Sequence, residues 1–182
     1  MEAAYACVAR DGIGRVTVEG VAREAAVARA TVYRTFPGGR DELVEAVVLW
    51  AVGEFFTGLA QDIGPVDGVA TLLERGLVAG RRRLAEHEVL QHALQVEADA
   101  MIPALAPVMP VVVDQLQSRL ADRLRHERLR PGVDPDEAAD VLARLVLSLL
   151  GTPGCWDMDD PAAVHILVRD HLLAGILADP GP

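Results

Sequence analysis

The chain contains no lysine. All seventeen of its basic residues are arginine, set against 27 Asp and Glu in 182 residues, for a net charge of −10. We take the missing lysine as a compositional habit of the source. Aromatic residues are scarce at 4%, and alternating strand patterns are scarce as well. The hydrophobic 51% is carried mainly by Ala, Leu and Val in helix-period runs, which predicts an all-α protein. Cys7 and Cys155 lie far apart with no second pair, so no disulfide framework is set up. A single bridge stays open, with two buried free thiols the expectation. No run of about 18 uninterrupted apolar residues exists, and no basic lead precedes an apolar stretch, so the protein is expected to be cytoplasmic. His87 and His92 miss the i, i+4 spacing of a helical zinc pair, and no Cys or carboxylate cluster completes a site. Asp157, Asp159 and Asp160 lack the glycine and terminal glutamate of a calcium loop. Gly38-Gly39 is a turn rather than a phosphate cradle. Neither a metal, a cofactor nor a catalytic group is therefore expected.

What the chain does have is concentrated in residues 17–43. Val18, Val21, Ala22 and Ala25 fall at i, i+3, i+4 and i+7, with Thr17 where a helix N-cap belongs. After a break at Ala26-Val27-Ala28, a second short helix has Val32 and Phe36 as inner anchors, which leaves Arg29, Thr31, Tyr33, Arg34 and Thr35 for its other faces. Two short helices joined by a tight turn are the layout of a DNA-reading helix-turn-helix. Arg can donate bidentately to guanine, the Thr methyl and hydroxyl can meet thymine or phosphate, and a Tyr hydroxyl can donate to a phosphate oxygen. A solvated amphipathic helix is the bland alternative, and the preceding helix and turn weigh against it.

This segment resembles the DNA-binding domain of the TetR family of bacterial transcription regulators. The residues that carry the resemblance are Thr17, Val18, Val21, Ala22, Ala25, Val27, Thr31, Val32, Tyr33, Phe36 and Leu43. The sequence departs from the family pattern at Ala26, where a turn glycine belongs, at Ala28, where a serine cap belongs, and at Arg40, where a lysine opens the next helix. The resemblance implies a ligand-responsive regulator, a repressor in this reading, that binds palindromic operator DNA as a homodimer and is released by a small molecule. Within that reading, side-chain chemistry makes Arg29, Arg34 and Thr35 the expected base readers and Thr17, Thr31, Tyr33 and Arg40 the expected backbone-positioning residues. A helical enzyme or small-molecule carrier without a DNA-binding role is the alternative.

The implied organisation is a DNA-binding domain over residues 1–47 and a helical ligand-binding and dimerisation domain over 48–182. Residues 1–47 hold six Arg and seven acids, whereas 48–182 hold eleven Arg and twenty acids, so the acidity lies in the second part. DNA affinity depends on local cations rather than whole-chain charge. Ahead of the motif, Ala4, Cys7 and Val8 line a first helix that begins almost at Met1 and stops at Gly12 in what reads as a Schellman motif. Family members carry a basic stretch before this helix, so either the start lies upstream or the arm is lacking. A long helix is expected from Asp41 to about Leu59, and the resemblance implies that it is the connector between the two domains. Asp67 is placed to cap a helix from Gly68 to about Leu84, ending near Arg81-Arg82-Arg83, which we read as a solvated helix end. A helix follows from His87 to Ala98, the prolines at 103, 107 and 110 mark a bend, and another helix runs from about Val111 to Arg128.

The helices expected over 136–150 and 161–178 are unusually apolar. Leu142, Leu145, Val146, Leu149 and Leu150 line the first, and Ile166, Leu167, Leu172, Leu173, Ile176 and Leu177 the second. By resemblance they pair with their copies in a dimer, placing two recognition helices in successive major grooves about 34 Å apart. A monomeric core is the alternative. Trp50, Phe55, His92, Gln95, Met101 and Met109 combine apolar bulk with polar handles and are the candidate lining of a small-molecule site.

Overall fold

The computed structural model describes residues 1–87, 89–91 and 97–178. Among these the regular elements are all helical, and the only strand-like feature is an isolated antiparallel bridge between Leu129 and Leu177. The all-α expectation is met. The helices are α1 (Glu2–Asp11), α2 (Val18–Glu24), α3 (Arg29–Thr35), α4 (Arg40–Ile63), α5 (Val69–Glu86), α6 (Ala98–Leu105), α7 (Met109–Leu124), α8 (Pro135–Gly151) and α9 (Pro161–Ile166), with a π-helical segment over Leu167–Leu173. The chain divides into two compact units, Met1–Thr57 with His87–Pro110, and Gly58–Glu86 with Val111–Pro182. The boundary read at 47/48 falls inside α4.

In the first unit the apolar stripes are buried as their spacing dictates. Ala4, Cys7 and Val8 of α1, Val18, Val21 and Ala22 of α2, Val32 of α3, and Leu43, Val44, Val47 and Val48 of α4 are all buried. Helix α1 ends at Gly12 as expected, but in a different geometry. Its φ of 89° and ψ of 159° lie outside the left-handed helical region of a Schellman motif, in a region that only glycine occupies readily. Cys7 is buried as expected, whereas Cys155 is exposed because it sits in the loop after α8, and both are free thiols.

Helix α4 runs 24 residues and holds an 18-residue window of mean hydropathy 1.7, long and apolar enough by itself to cross a membrane. Glu45 and Glu54 interrupt its apolar run, and its first turns are buried in the first unit.

The second unit has one apolar core, built from Val69, Leu73 and Leu77 of α5, Leu120 and Leu124 of α7, Leu142, Val146 and Leu150 of α8, Val164 of α9 and the buried residues of the π segment. Its helix starts are capped: Asp134 accepts from the amides of Asp136 and Glu137 at 2.9 and 3.0 Å, and Asp160 from Ala162 at 3.0 Å. The cap expected from Asp67 comes from elsewhere, because the first amide of α5, at Val69, donates to Glu127 at 2.7 Å. Helix α7 ends at Leu124 rather than Arg128, and 128–130 turns to pair with the C-terminal segment through Arg130 N–H to the Ile176 carbonyl and Ala178 N–H to the Arg128 carbonyl.

The last helix is not the single α-helix expected from 161 to 178. Leu167, Val168, Leu172 and Leu173 are its buried residues, at i, i+1, i+5 and i+6. That spacing suits the i to i+5 register of a π-helix. It leaves His171 exposed, its ring edge-to-face with Trp156 at 5.1 Å.

Candidate nucleic-acid interface

The interface is built from the end of α2, its turn and α3. Thr17 accepts from the Gly20 amide at 3.0 Å, the N-cap its position called for, worth about 1 kcal/mol. Helix α2 stops in a Schellman motif: Ala26 N–H donates to the Arg23 carbonyl and Val27 N–H to that of Ala22. Ala26 sits at φ 54°, so it adopts the left-handed conformation with a Cβ where glycine would be unstrained. Ala28 precedes α3 in an extended conformation and supplies no side-chain cap.

Val32 alone of α3 is buried, while Arg29, Tyr33, Arg34 and Thr35 are exposed and Thr31 and Phe36 are half-buried. Arg34 makes no hydrogen bond or ion pair among the described residues, so its guanidinium is free to donate. Thr35 donates to the Thr31 carbonyl at 3.1 Å, leaving its methyl and its oxygen lone pairs to the outside. Arg29 is held: its Nε lies 2.8 Å from a Glu19 carboxylate oxygen, its Nη2 donates to the Tyr33 hydroxyl at 3.2 Å, and its guanidinium lies 5.2 Å from the Tyr33 ring centroid. The Tyr33 hydroxyl and then the Glu19 charge raise the Arg29 pKa further above its ordinary value.

Arg40 takes a different place from the one expected. It donates through Nη2 to the Ile13 carbonyl at 2.6 Å and through Nε to the Val16 carbonyl at 3.1 Å, and it pairs with Asp41 at 3.2 Å. Its fork therefore ties the start of α4 to the α1–α2 loop. The same loop is held from its other side, where the Ile13 amide donates to Glu97 at 2.8 Å. A Cβ on Gly12 would overlap that carboxylate and displace it, while the φ of 89° is what requires glycine there. Sequence reasoning missed Glu97, since nothing local marks a carboxylate that acts 84 residues away.

The residues read as a ligand site are not drawn together by any ring contact or hydrogen bond among the described residues. Trp50 packs edge-to-face on Tyr5 of α1 with centroids 5.4 Å apart, and Phe55 meets its neighbour Phe56 at 5.5 Å. Met101 is buried and Met109 exposed. His92 and Gln95 lie outside the described residues. The arginine run is not a solvated end: Arg81 donates to the Leu150 carbonyl at 2.6 Å, capping α8, and Arg83 pairs with Asp62 at 2.6 Å. Asp62 is held below the usual carboxylate range by its hydrogen bond from Arg83.

The sequence model described as "Bacterial regulatory proteins, tetR family" matches residues 1–47. No curated protein matches the chain by sequence. Among solved structures, the repressor SmeT of Stenotrophomonas maltophilia, in its triclosan complex, is 24% identical with a TM-score of 0.60, over 98% of this chain and 90% of that one. A TetR-family regulator from Rhodococcus sp. is 21% identical with a TM-score of 0.60, over 94% and 95%. FadR of Bacillus subtilis, with stearoyl-CoA bound, is 18% identical with a TM-score of 0.56, over 96% of each. Residues 1–47 are thus a helix-turn-helix DNA-binding domain of the TetR family, and the chain as a whole has the fold of TetR-family regulators.

Proposed function

We propose that this protein is a one-component transcription repressor that binds palindromic operator DNA as a homodimer and is released by a small-molecule effector. The observation that carries the reading is α3, a helix anchored by Val32 alone that turns Arg29, Tyr33, Arg34 and Thr35 outward beside a capped α2. In this reading residues 1–47 are the reading head and 48–182 the effector and dimerisation domain, acting in the cytoplasm. Arg29, Arg34 and Thr35 read base edges, while Thr17, Thr31 and Tyr33 position the backbone. Arg40 keeps a weaker place in that set, since three of its five N–H donors go to Ile13, Val16 and Asp41.

The homodimer is proposed through α8 and the segment from α9 to 178. Most of their apolar residues are used inside the chain's own core, but Val141, Leu145 and Ile166 remain exposed, at 53%, 42% and 46%. A small-molecule effector is supported by the fold shared with SmeT bound to triclosan and FadR bound to stearoyl-CoA. Trp50, Phe55, Met101 and Met109 are the described candidates for its site. An effector must bind the DNA-competent and released states unequally to act as a switch.

The test is enrichment of a random duplex pool by the purified protein, run beside a Tyr33→Ala/Arg34→Ala variant. An inverted repeat enriched by the parent and lost in the variant is the expected result. Failure of the parent to enrich any sequence at low salt would overturn the reading.

A further inference from the structure

Glu19 stands out as an acid on the face of the head that would meet DNA. It occupies the first turn of α2, is 54% exposed, and would repel phosphate. Its Oε1 lies 2.8 Å from Nε of Arg29, the first residue of α3, so the pair bridges the two helices of the motif. Arg29 is then fixed at a second point, where Nη2 donates to the Tyr33 hydroxyl one turn along, with the Tyr33 ring beneath it. One hydrogen bond and one ion contact together restrict the guanidinium, and the N–H donors of Nη1 and the second one of Nη2 are engaged by no group among the described residues.

We propose that Glu19 is a specificity-positioning residue, whose carboxylate clamps Arg29 so that its outer nitrogens are presented in one orientation to a guanine edge. This rests on the DNA-reading function proposed above. In water the pair contributes little, because both side chains are more than half exposed. Its effect appears in the groove, where water is displaced and an unheld arginine would have to be ordered on binding. The bland reading is that Glu19 only complements the positive end of α2. On that reading its removal changes affinity for every duplex alike.

The experiment uses the duplex obtained by enrichment and a panel in which each base pair is replaced in turn, with binding followed by fluorescence anisotropy. The proteins are the parent, Glu19→Gln, Glu19→Asp, Arg29→Ala and Glu19→Gln/Arg29→Ala, each checked for folding by circular dichroism. Arg29→Ala should lower discrimination about ten-fold at one base-pair position in each half-site. Glu19→Gln and Glu19→Asp should both erode discrimination at that same position. Glu19→Gln should also tighten binding to random duplex, because a charge facing phosphate is gone. With Arg29 already replaced, Glu19→Gln should change affinity uniformly and discrimination not at all. Glu19→Asp keeps the charge but shortens the reach, so discrimination unchanged in that variant, with a uniform shift in Glu19→Gln, would overturn the proposal while leaving the DNA-reading function intact. Arg29→Ala losing discrimination nowhere would overturn it as well. If the parent selects no sequence, it is the function itself that falls.

Discussion

Ala26 bears the strain of the turn between α2 and α3. A residue with a Cβ at φ 54° costs about 1–2 kcal/mol relative to a right-handed conformation, and the Schellman hydrogen bonds of Ala26 and Val27 hold it there. Ala26→Gly relieves that cost but makes the unfolded chain more flexible by about 0.4–1 kcal/mol. The substitution should therefore raise stability by about 0.5–1 kcal/mol in urea titrations followed by circular dichroism. A lower midpoint would mean that the turn relaxes away from this conformation in solution. Arginine chemistry is the other theme at this scale. Arg40, Arg75, Arg81, Arg123 and Arg130 donate to backbone carbonyls of Ile13 and Val16, Ile63, Leu150, Val66 and Ala174. A planar, weakly hydrated fork suits such acceptors better than a lysine ammonium. These roles were not legible in the sequence, because the acceptors are main-chain atoms up to 69 residues away that carry no residue signature. Thr17, by contrast, was legible, since its acceptor role is met three residues on at Gly20.

Among the elements, α2 and α3 were readable because each buries one short stripe set by helical spacing. The start of α5 was read to within one residue but its cap was not, since that arrives at Val69 from Glu127, and neither was the π register of 167–173, which follows from what the core of the second unit accepts. The approach of α5 to α8 is set by a glycine. A Cβ at Gly80 would lie 2.6 Å from Cδ2 of buried Leu150. In an exposed helix Gly→Ala gains about 1 kcal/mol. Here the gain is outweighed by forced repacking, typically about 1–3 kcal/mol. Gly80→Ala should thus lower the thermal midpoint, whereas a rise would show that Leu150 has room to rotate away.

Taken whole, the molecule ties up half of the six arginines in residues 1–47. In the head, Arg10 pairs with Asp11 and Glu24, Arg29 with Glu19, and Arg40 with carbonyls, which leaves Arg15, Arg23 and Arg34 without a hydrogen-bond or ion-pair partner among the described residues, so the proposed DNA binding is expected to draw on two-headed contact as well as on charge. That places weight on the proposed dimer. Val141→Asp/Leu145→Asp should leave helical content intact, give a monomer by light scattering at micromolar concentration, and weaken binding to an inverted repeat at least about ten-fold. A variant that remained dimeric would move the interface off α8. The π segment has a genealogical consequence. Each residue of an α-helix turns the chain by about 100°, so loss of one codon between Leu167 and Leu173 would swing Leu177 off its partner Leu129. Aligned with a kin sequence that has an unbroken α-helix there, this chain carries the extra residue and the gap falls in the kin sequence, inside the helix, in a place where insertions are ordinarily not sought.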